Sequence, residues 1–510
     1  MRAVARKRLP FFAPGDLELG EAISKLAETN PFGEARVALE RRILGSDFSP
    51  HRVWSREPDG SASGNTARIG DRAIALLDRL RDRSARGAKA TDVERSLYRE
   101  VVVYVAFHRM ESQLYDSVVR AESATSSIEA RFFDDFTAEL HQRFTAVGLV
   151  APSTAEAAHL FAAMFQVHRA FHHVFHRIIG DSRPTARLRE SIWQSIFTHD
   201  MRRYARSLYC RLGDLPTLIT GPSGSGKDLV ARAIALSRYV PFDPKRKAFV
   251  GEIAQAYYPL NVAALPPALI ESELFGHRRG SFTGATEDRA GWLESCPELG
   301  TVFLDEIGEL EPKLQVKLLR VLQERSFQRV GETRTRHFRG KVVAATNQDL
   351  TALIASGRFR EDLYYRLRAD LVVTPTLAER VADSEDELPT LIRFIAERVA
   401  GPDEADELAL ETIGWIEREL GRSYSWPGNV RELEQCVRNV LVRGEYRPQG
   451  RRTAAPGTAL GMDLAAGSLT ADELLTRYVK LVHATTGSYV ETARRLGIDR
   501  RTVARRVAEI

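Results

Sequence analysis

Cysteine is scarce in this sequence: three residues, Cys210, Cys296 and Cys436, in a chain of 510. Their wide separation excludes a disulfide framework, argues against a zinc site and fits a reducing compartment. Long apolar runs are missing too, and no stretch approaches the roughly 18 consecutive apolar residues of a membrane span. The basic opening, MRAVARKRLPFF, leads into no apolar run of signal-peptide length. Excess charge is small: 73 Lys and Arg against 68 Asp and Glu leave a formal net charge of +5. Nucleic-acid binding must therefore be argued from where the charge lies. These shortages point to a soluble, cytoplasmic protein with no membrane partner. With 44% hydrophobic and 28% charged residues the composition is that of a globular protein. A chain this long exceeds one hydrophobic core, so about two to four domains are expected.

Four zones follow from patterning. Residues 1–176 read as mostly helical, with apolar residues at helical spacing in 73–80 (AIALLDRL) and 94–110. A polar break at 57–65, EPDGSASGN, reads as an exposed loop. Residues 177–444 alternate short apolar strands (LPTLIT, TVFLDEI, KVVAATN) with helices, the pattern of an α/β domain built on a parallel sheet. Residues 445–468, rich in Pro, Gly, Ala and Arg, read as a linker. Residues 469–510 form a short helical module. There are no internal repeats.

The second zone carries the chemistry. Gly221, Pro222, Ser223, Gly224, Ser225, Gly226 and Lys227 lie between the strand LPTLIT and the helical run DLVARAIAL. This is the strand–loop–helix context of a phosphate-binding P-loop (Walker A). Glycines let backbone N–H groups turn toward phosphate, the helix N-terminus adds positive potential and Lys227 adds a full charge. Asp228 stands where a hydroxyl usually follows the lysine. Farther on, TVFLDE ends an apolar strand in Asp305 and Glu306 (Walker B). Asp305 can hold Mg²⁺ and Glu306 can orient or deprotonate a water. A third strand, VVAATN, ends at Asn347, placed to sense a terminal phosphate; the alternative is a plain turn after a strand.

With these residues in view, the sequence resembles the sigma-54-dependent enhancer-binding activators of the AAA+ class. The likeness runs from about Ile178 to about Leu433, through LNVAALPPALIESELFGHRRGSFTGA, GTVFLDEIGEL, LQVKLLRVLQERSFQRVG, VVAATNQDL, GRFREDLYYRL and WPGNVREL. An acidic residue after the P-loop lysine is typical of that family, which accounts for Asp228. The resemblance implies an AAA+ domain whose α/β part ends near 372, with a helical lid over 373–444. It implies ATP and Mg²⁺ as ligands: Lys227 on the β- and γ-phosphates, Asp305 on the metal, Glu306 on the water. Asn261 matches the residue that restrains the Walker B glutamate, Asn347 the sensor I residue and Arg431 the sensor II arginine. Arg360 and Arg366 match arginine fingers that act on a neighbouring subunit's nucleotide, so a ring, usually a hexamer, is implied. GSFTGA differs from the family's GAFTGA loop only at Ser281. In the family that loop touches sigma-54, so Phe282, Thr283 and Gly284 are implied contacts with sigma-54 RNA polymerase. Two departures stand out: FDPKRKAFVGEIAQAYY is longer than typical, and TPTLAERVADSEDELPTL replaces the usual start of the lid.

ETARRLGIDRRTVARRVAEI reads as two helices around a turn at 497–499, a helix-turn-helix. It resembles the Fis-type DNA-binding domain, with Arg500, Arg501, Thr502 and Arg505 expected on enhancer DNA. In the first zone no receiver pattern or small-molecule sensor is evident. His168, His172, His173 and His176 suit a metal or pH sensor, or, more simply, a helix that packs Phe165, Phe171 and Phe175 and leaves the histidines partly exposed. The functional expectation is an ATP-driven transcription activator. The alternatives are a AAA+ DNA-binding regulator acting without sigma-54 and a remodelling ATPase outside transcription. The GSFTGA loop speaks against the first alternative and the terminal helix-turn-helix against the second.

Overall fold

The computed structural model describes residues 9–50, 64–123, 127–251, 256–421, 424–448 and 469–508. They fall into two compact units, Met1–Val442 and Arg443–Ile510. The first opens with α1 (Pro14–Glu28), α2 (Glu34–Leu44), α3 (Gly64–Ala85), α4 (Asp92–Arg109), α5 (Glu111–Ser123), α6 (Phe133–Ala146), α7 (Thr154–Arg177), α8 (Arg183–Phe197) and the single turn α9 (Met201–Arg203). Reciprocal capping boxes start α4 (Thr91 with Glu94) and α7 (Ser153 with Glu156). Apolar faces of α1 to α7 close on one core that includes Ile69, Leu80, Val101, Phe136 and Phe161. Residues 57–63 lie outside the described residues, but Gly64 and Asn65 belong to α3 rather than to an exposed loop. Asn65 is buried because its amide fits the Ser49 backbone, accepting from its N–H at 3.0 Å and donating to its carbonyl at 2.8 Å.

The sheet follows: β1 (Thr217–Thr220), α10 (Lys227–Leu236), β2 (Phe242–Asp243), β3 (Ala248–Phe249), β4 (Tyr257–Asn261), α11 (Pro267–Phe275), β5 (Gly276–His277), β6 (Arg289–Ala290), α12 (Trp292–Ser295), β7 (Thr301–Asp305), α13 (Pro312–Glu324), β8 (Ser326–Phe327), β9 (Arg336–His337), β10 (Lys341–Thr346), α14 (Leu350–Ala355), α15 (Glu361–Leu367) and β11 (Asp370–Val373). Five strands pair in parallel in the order β11-β1-β10-β7-β4. Alternate residues feed opposite faces: Leu218, Val302, Leu304, Val342 and Ala344 enter one core, Ile219, Phe303, Val343, Ala345 and Val372 the other. This two-sided burial is why the strands read as unbroken apolar runs. The lid comprises α16 (Leu377–Asp383), α17 (Glu387–Ala400), α18 (Ala405–Glu419) and α19 (Asn429–Arg443).

The lid's unusual opening sequence has a local use. Arg380 and Glu387, both buried, pair at 2.5 Å. Glu387 also accepts from Thr185 at 2.9 Å, and Arg380 donates to the Ile179 carbonyl. The segment ahead of α8 and the first turn of α8 are thereby clasped to α16 and α17. The portion WQSIFTHD extends α8, burying Trp193 and Phe197 against the sheet's second core.

The long insertion after the P-loop helix is a structural element. β2 and β3 form an antiparallel hairpin whose Phe242 and Phe249 enter the N-terminal helical core. Phe249 stacks on Phe165 at 3.8 Å between ring centroids, and Phe242 meets Phe133 at 4.7 Å and Phe161 at 4.8 Å. Backbone bonds from Phe249 to Ile128 (2.9 Å) and from Ala130 to Lys247 (2.8 Å) extend the pairing. The expectation of partly exposed histidines also fails. His168, His172 and His173 are buried and only His176 is exposed, because α7 is covered on several sides. His168 stacks on Phe107 at 4.4 Å.

The second unit contains α20 (Ala471–Thr486), α21 (Tyr489–Leu496) and α22 (Arg500–Ala508). Most of 445–468, expected to be a linker, lies outside the described residues.

The hairpin predicts a stability effect far from any site. Phe249→Ala removes a fully buried ring and should destabilise by roughly 3–5 kcal/mol. The thermal midpoint should drop clearly, with a much smaller drop for Phe249→Leu. An unchanged midpoint for Phe249→Ala would contradict the docking.

Candidate nucleotide site

The carboxyl ends of β1, β10, β7 and β4 stand side by side, with Thr220 opposite Thr346 and Asn261 opposite Asp305. Ligands of open parallel sheets bind at this edge. The loop between β1 and α10 supports Gly221, Gly224 and Gly226 at φ of 149°, 75° and 91°. A Cβ at Gly224 would sit 2.3 Å from the Gly428 carbonyl oxygen, and one at Gly221 would sit 2.0 Å from Thr374 Oγ1. Only glycine permits both the backbone angles and the close approach. Lys227, the first residue of α10, is buried and donates from Nζ to the Gly221 and Pro222 carbonyls at 3.0 and 3.1 Å. Burial holds its ammonium below its usual range, against the pull of Glu306 and Asp305. Asp228 is exposed in the first turn of α10, where a negative charge suits the helix dipole.

The lid reaches the same loop. Asn429 donates to the Ser223 carbonyl at 2.9 Å and accepts from the Leu377 N–H at 2.9 Å. Its φ of 52° turns the chain into α19. Arg431 donates to Ser223 Oγ at 3.1 Å, and Val430 N–H meets the Gly224 carbonyl at 3.0 Å. Ser225 Oγ lies 2.7 Å from Thr374 Oγ1. WPGNVREL thus places Arg431 directly against the P-loop.

Across the edge, Asp305 and Glu306 close β7, with Glu306 left-handed at φ 55°. Burial first, then the neighbouring Glu306 carboxylate, raise the Asp305 carboxyl above its ordinary range. The Asn261 amide approaches Asp305 Oδ2 at 3.5 Å, while the Glu306 carboxylate accepts from the Asn347 backbone N–H at 3.3 Å. In this structure Asn261 therefore contacts the aspartate, and Glu306 is met by the backbone of Asn347. An ammonium, glycine-freed N–H groups and two neighbouring carboxylates fit a phosphate chain with a divalent cation.

The remaining expected residues lie apart from this cluster. Arg360 is exposed and paired with Asp362 at 2.7 and 3.0 Å; Arg366 donates to the Leu322 carbonyl at 2.9 and 3.1 Å. Neither hydrogen-bonds the P-loop of its own chain among the described residues. The loop GSFTGA joins β5 and β6, and its tip is a closed turn, with Gly280 N–H to the Ala285 carbonyl at 2.8 Å. Thr283 and Gly284 are exposed, and Phe282 leans on His277 at 5.0 Å. Ser281 uses its hydroxyl to bond the Arg278 carbonyl at 2.6 Å. In the second unit Arg500, Arg501 and Arg505 are exposed and Thr502 is half-buried. Arg506 instead turns inward, to Asp472 at 2.5 Å and to Thr476 Oγ1 at 2.7 Å. Sequence reasoning missed Asn429 and Thr374 as supports of the P-loop. Asn429 was visible in the motif WPGNVREL; Thr374 carried no signal beyond its place after β11.

Comparison with known proteins bears on the domain that contains this edge. Residues 195–372 match the family described as the Sigma-54 interaction domain. The chain carries a sigma-54 interaction domain. It has the AAA+ fold, a parallel five-stranded sheet accompanied by helical regions on either side in sequence. The transcriptional regulatory protein ZraR of Klebsiella oxytoca is 39% identical over 57% of this chain and 62% of its own length. The Nif-specific regulatory protein of Azotobacter vinelandii is 38% identical over 57% of this chain and 53% of its own. The chain thus spans between half and two thirds of the length of these relatives. Among solved structures, NtrX from Brucella abortus is similar over 72% of this chain and 79% of its own, at 25% identity and a TM-score of 0.39, too loose a superposition to bear on domain arrangement.

The raised Asp305 carboxyl makes a signed prediction for the nucleotide-free protein. The folded state holds that proton more tightly than the unfolded chain, so ionisation costs stability above the raised value and nothing below the ordinary aspartate range. Asp305→Asn should therefore raise the thermal midpoint at neutral pH. The gain should fade as pH falls into the ordinary carboxylate range. A lower midpoint at neutral pH would contradict the ionisation cost assigned here.

Proposed function

We propose that the sigma-54 interaction domain of this chain hydrolyses ATP and uses the energy to remodel sigma-54 RNA polymerase, making the chain a DNA-bound, cytoplasmic transcription activator. One observation carries the reading: Lys227, Asp305, Glu306, Asn261 and Asn347 converge at one end of the sheet, with Arg431 closing from the lid. The P-loop amides and Lys227 hold the β- and γ-phosphates. Mg²⁺ at Asp305, when bound, supplies positive charge against the phosphate oxygens. Glu306 orients the attacking water and accepts its proton. The Asn347 contact holds Glu306 at the γ-phosphate end. Arg360 and Arg366 complete a neighbour's site in a ring, a hexamer by the resemblance. Thr283 and Gly284 present an exposed tip for sigma-54, with the half-buried Phe282 beside them. In keeping with a soluble protein, no described helix is long and apolar enough to cross a membrane.

Two tests separate the parts. Lys227→Ala should abolish nucleotide binding, whereas Glu306→Gln should bind nucleotide but lose turnover by several orders of magnitude, measured by fluorescent nucleotide titration and steady-state phosphate release. Mixing Glu306→Gln with Arg366→Ala subunits should recover part of the activity through hybrid interfaces. Normal turnover in Glu306→Gln would defeat the assignment.

The exposed arginines of α22 are read as phosphate and base contacts on enhancer DNA. Arg501→Ala should weaken DNA binding and lower the slope of its salt dependence by roughly one unit, since one phosphate fewer is neutralised. ATP turnover should be unaffected. An unchanged salt slope would assign the helix to another purpose.

A further inference from the structure

Away from the nucleotide, a cavity of about 370 Å³ opens among α5, α7, α10 and β4. Its polar lining is Glu122, Arg169, His173, Arg177, Arg232 and Tyr257. Three guanidinium groups thus face one carboxylate. That carboxylate is already shared, lying 3.3 Å from Arg177 Nη2 and 3.1 Å from His172 Nε2. Arg169 is 2% exposed and has no carboxylate partner among the described residues. It donates from Nη1 to the Arg238 carbonyl at 2.9 Å, and its Nε has no hydrogen-bond partner. His173 is 4% exposed; its Nδ1 has no hydrogen-bond partner, with Glu122 Oε1 3.7 Å away, and Arg177 Nε also lacks a hydrogen-bond partner. Arg232 is exposed at the rim, its guanidinium 5.6 Å from the centre of the Tyr257 ring.

Buried donors without acceptors and a buried cation without a counter-ion are unfavourable unless something satisfies them. The cavity lies at the lower end of the size range for small-molecule sites, and its apolar wall includes Val118 and Leu236. We propose that it binds a small organic anion, whose carboxylate or phosphate group lies among Arg169, Arg177 and His173, with Arg232 at the mouth. Tyr257 offers a hydroxyl that burial keeps protonated and therefore able to donate. A cation is the weaker occupant. Glu122, His172 and His173 do bring ligand atoms within 4.8 Å of one another, but Arg177 already holds the same Glu122 oxygen. Burial first, then Arg169 and Arg177, also disfavour positive charge at His173.

The position gives such a ligand a route to the motor. Arg232 and Leu236 stand on α10, which begins at Lys227, and Tyr257 and Pro259 stand on β4, which ends at Asn261. Occupancy therefore changes the rate of ATP hydrolysis, a consequence that rests on the proposed function, whereas binding itself does not.

Calorimetric titration of the full chain with inorganic phosphate, succinate and benzoate tests the site. A Lys227→Ala background keeps phosphate from reporting on the P-loop. At least one probe should bind at a single saturable site, with phosphate against the two carboxylates distinguishing the head group. Arg232→Gln should weaken that binding about tenfold, and Glu122→Gln, by freeing Arg177, should tighten it. Failure of all three probes, or binding indifferent to both substitutions, overturns the proposal. Saturable zinc binding that is lost in His173→Gln, without anion binding, overturns it in favour of a metal. On the wild-type chain, a bound probe that leaves ATP hydrolysis unchanged overturns the coupling. A chain with no ATP hydrolysis under any condition faults the proposed function, while the titration still decides the site.

Discussion

The anchoring of α10 at both ends is the constraint on which the rest of this structure depends. Its first residue, Lys227, is drawn down onto the P-loop carbonyls. Just beyond its last turn, the Ser237 and Arg238 carbonyls accept from Gln166 and Arg169 of α7 at 2.9 Å each. Cationic and amide donors at a helix C-terminus satisfy carbonyls that have no partner in the helix. The chain leaves this cap directly into the β2–β3 hairpin, which sinks two phenylalanines into the N-terminal core. A helix held this way cannot shift at one end without disturbing the other. The phosphate loop and the N-terminal helices are therefore mechanically one body, although they are far apart in sequence.

The lid is joined to that body at two places of different character. At the P-loop, Asn429, Val430 and Arg431 meet Ser223 and Gly224 through hydrogen bonds that are partly open to solvent. Around the start of α8, buried Arg380 and Glu387 bind Ile179 and Thr185. Breaking a buried pair leaves an uncompensated charge, so the second joint is the stiffer.

Much of the nucleotide edge was legible in the sequence because each part has local chemistry. Glycines at 221, 224 and 226, apolar runs ending in Asp305 and Asn347, and WPGNVREL all announce themselves over a few residues. The β2–β3 hairpin was not legible. FDPKRKAFVGEIAQAYY has two short apolar patches around a polar turn, which suits a surface loop equally well. Only the aromatic surface of α6 and α7 reveals where Phe242 and Phe249 go. The histidines of α7 misled for a similar reason. Helical spacing places them on several faces, and nothing local says that Phe107 and α5 cover those faces. Arg506 shows the same limit in α22. Its neighbours face solvent as a basic helix suggests, but its own partner, Asp472, lies in another helix.

The account's central claim is that ATP turnover at this sheet edge drives sigma-54 polymerase through the GSFTGA tip. The direct measurement is transcription from a sigma-54-dependent promoter by purified polymerase, with the full chain and with its Thr283→Ala variant. The account predicts transcripts that require hydrolysable ATP with the full chain. It predicts none with Thr283→Ala, even though that variant turns ATP over normally. Transcripts that form without hydrolysable ATP, or equal transcripts from the variant, would contradict it.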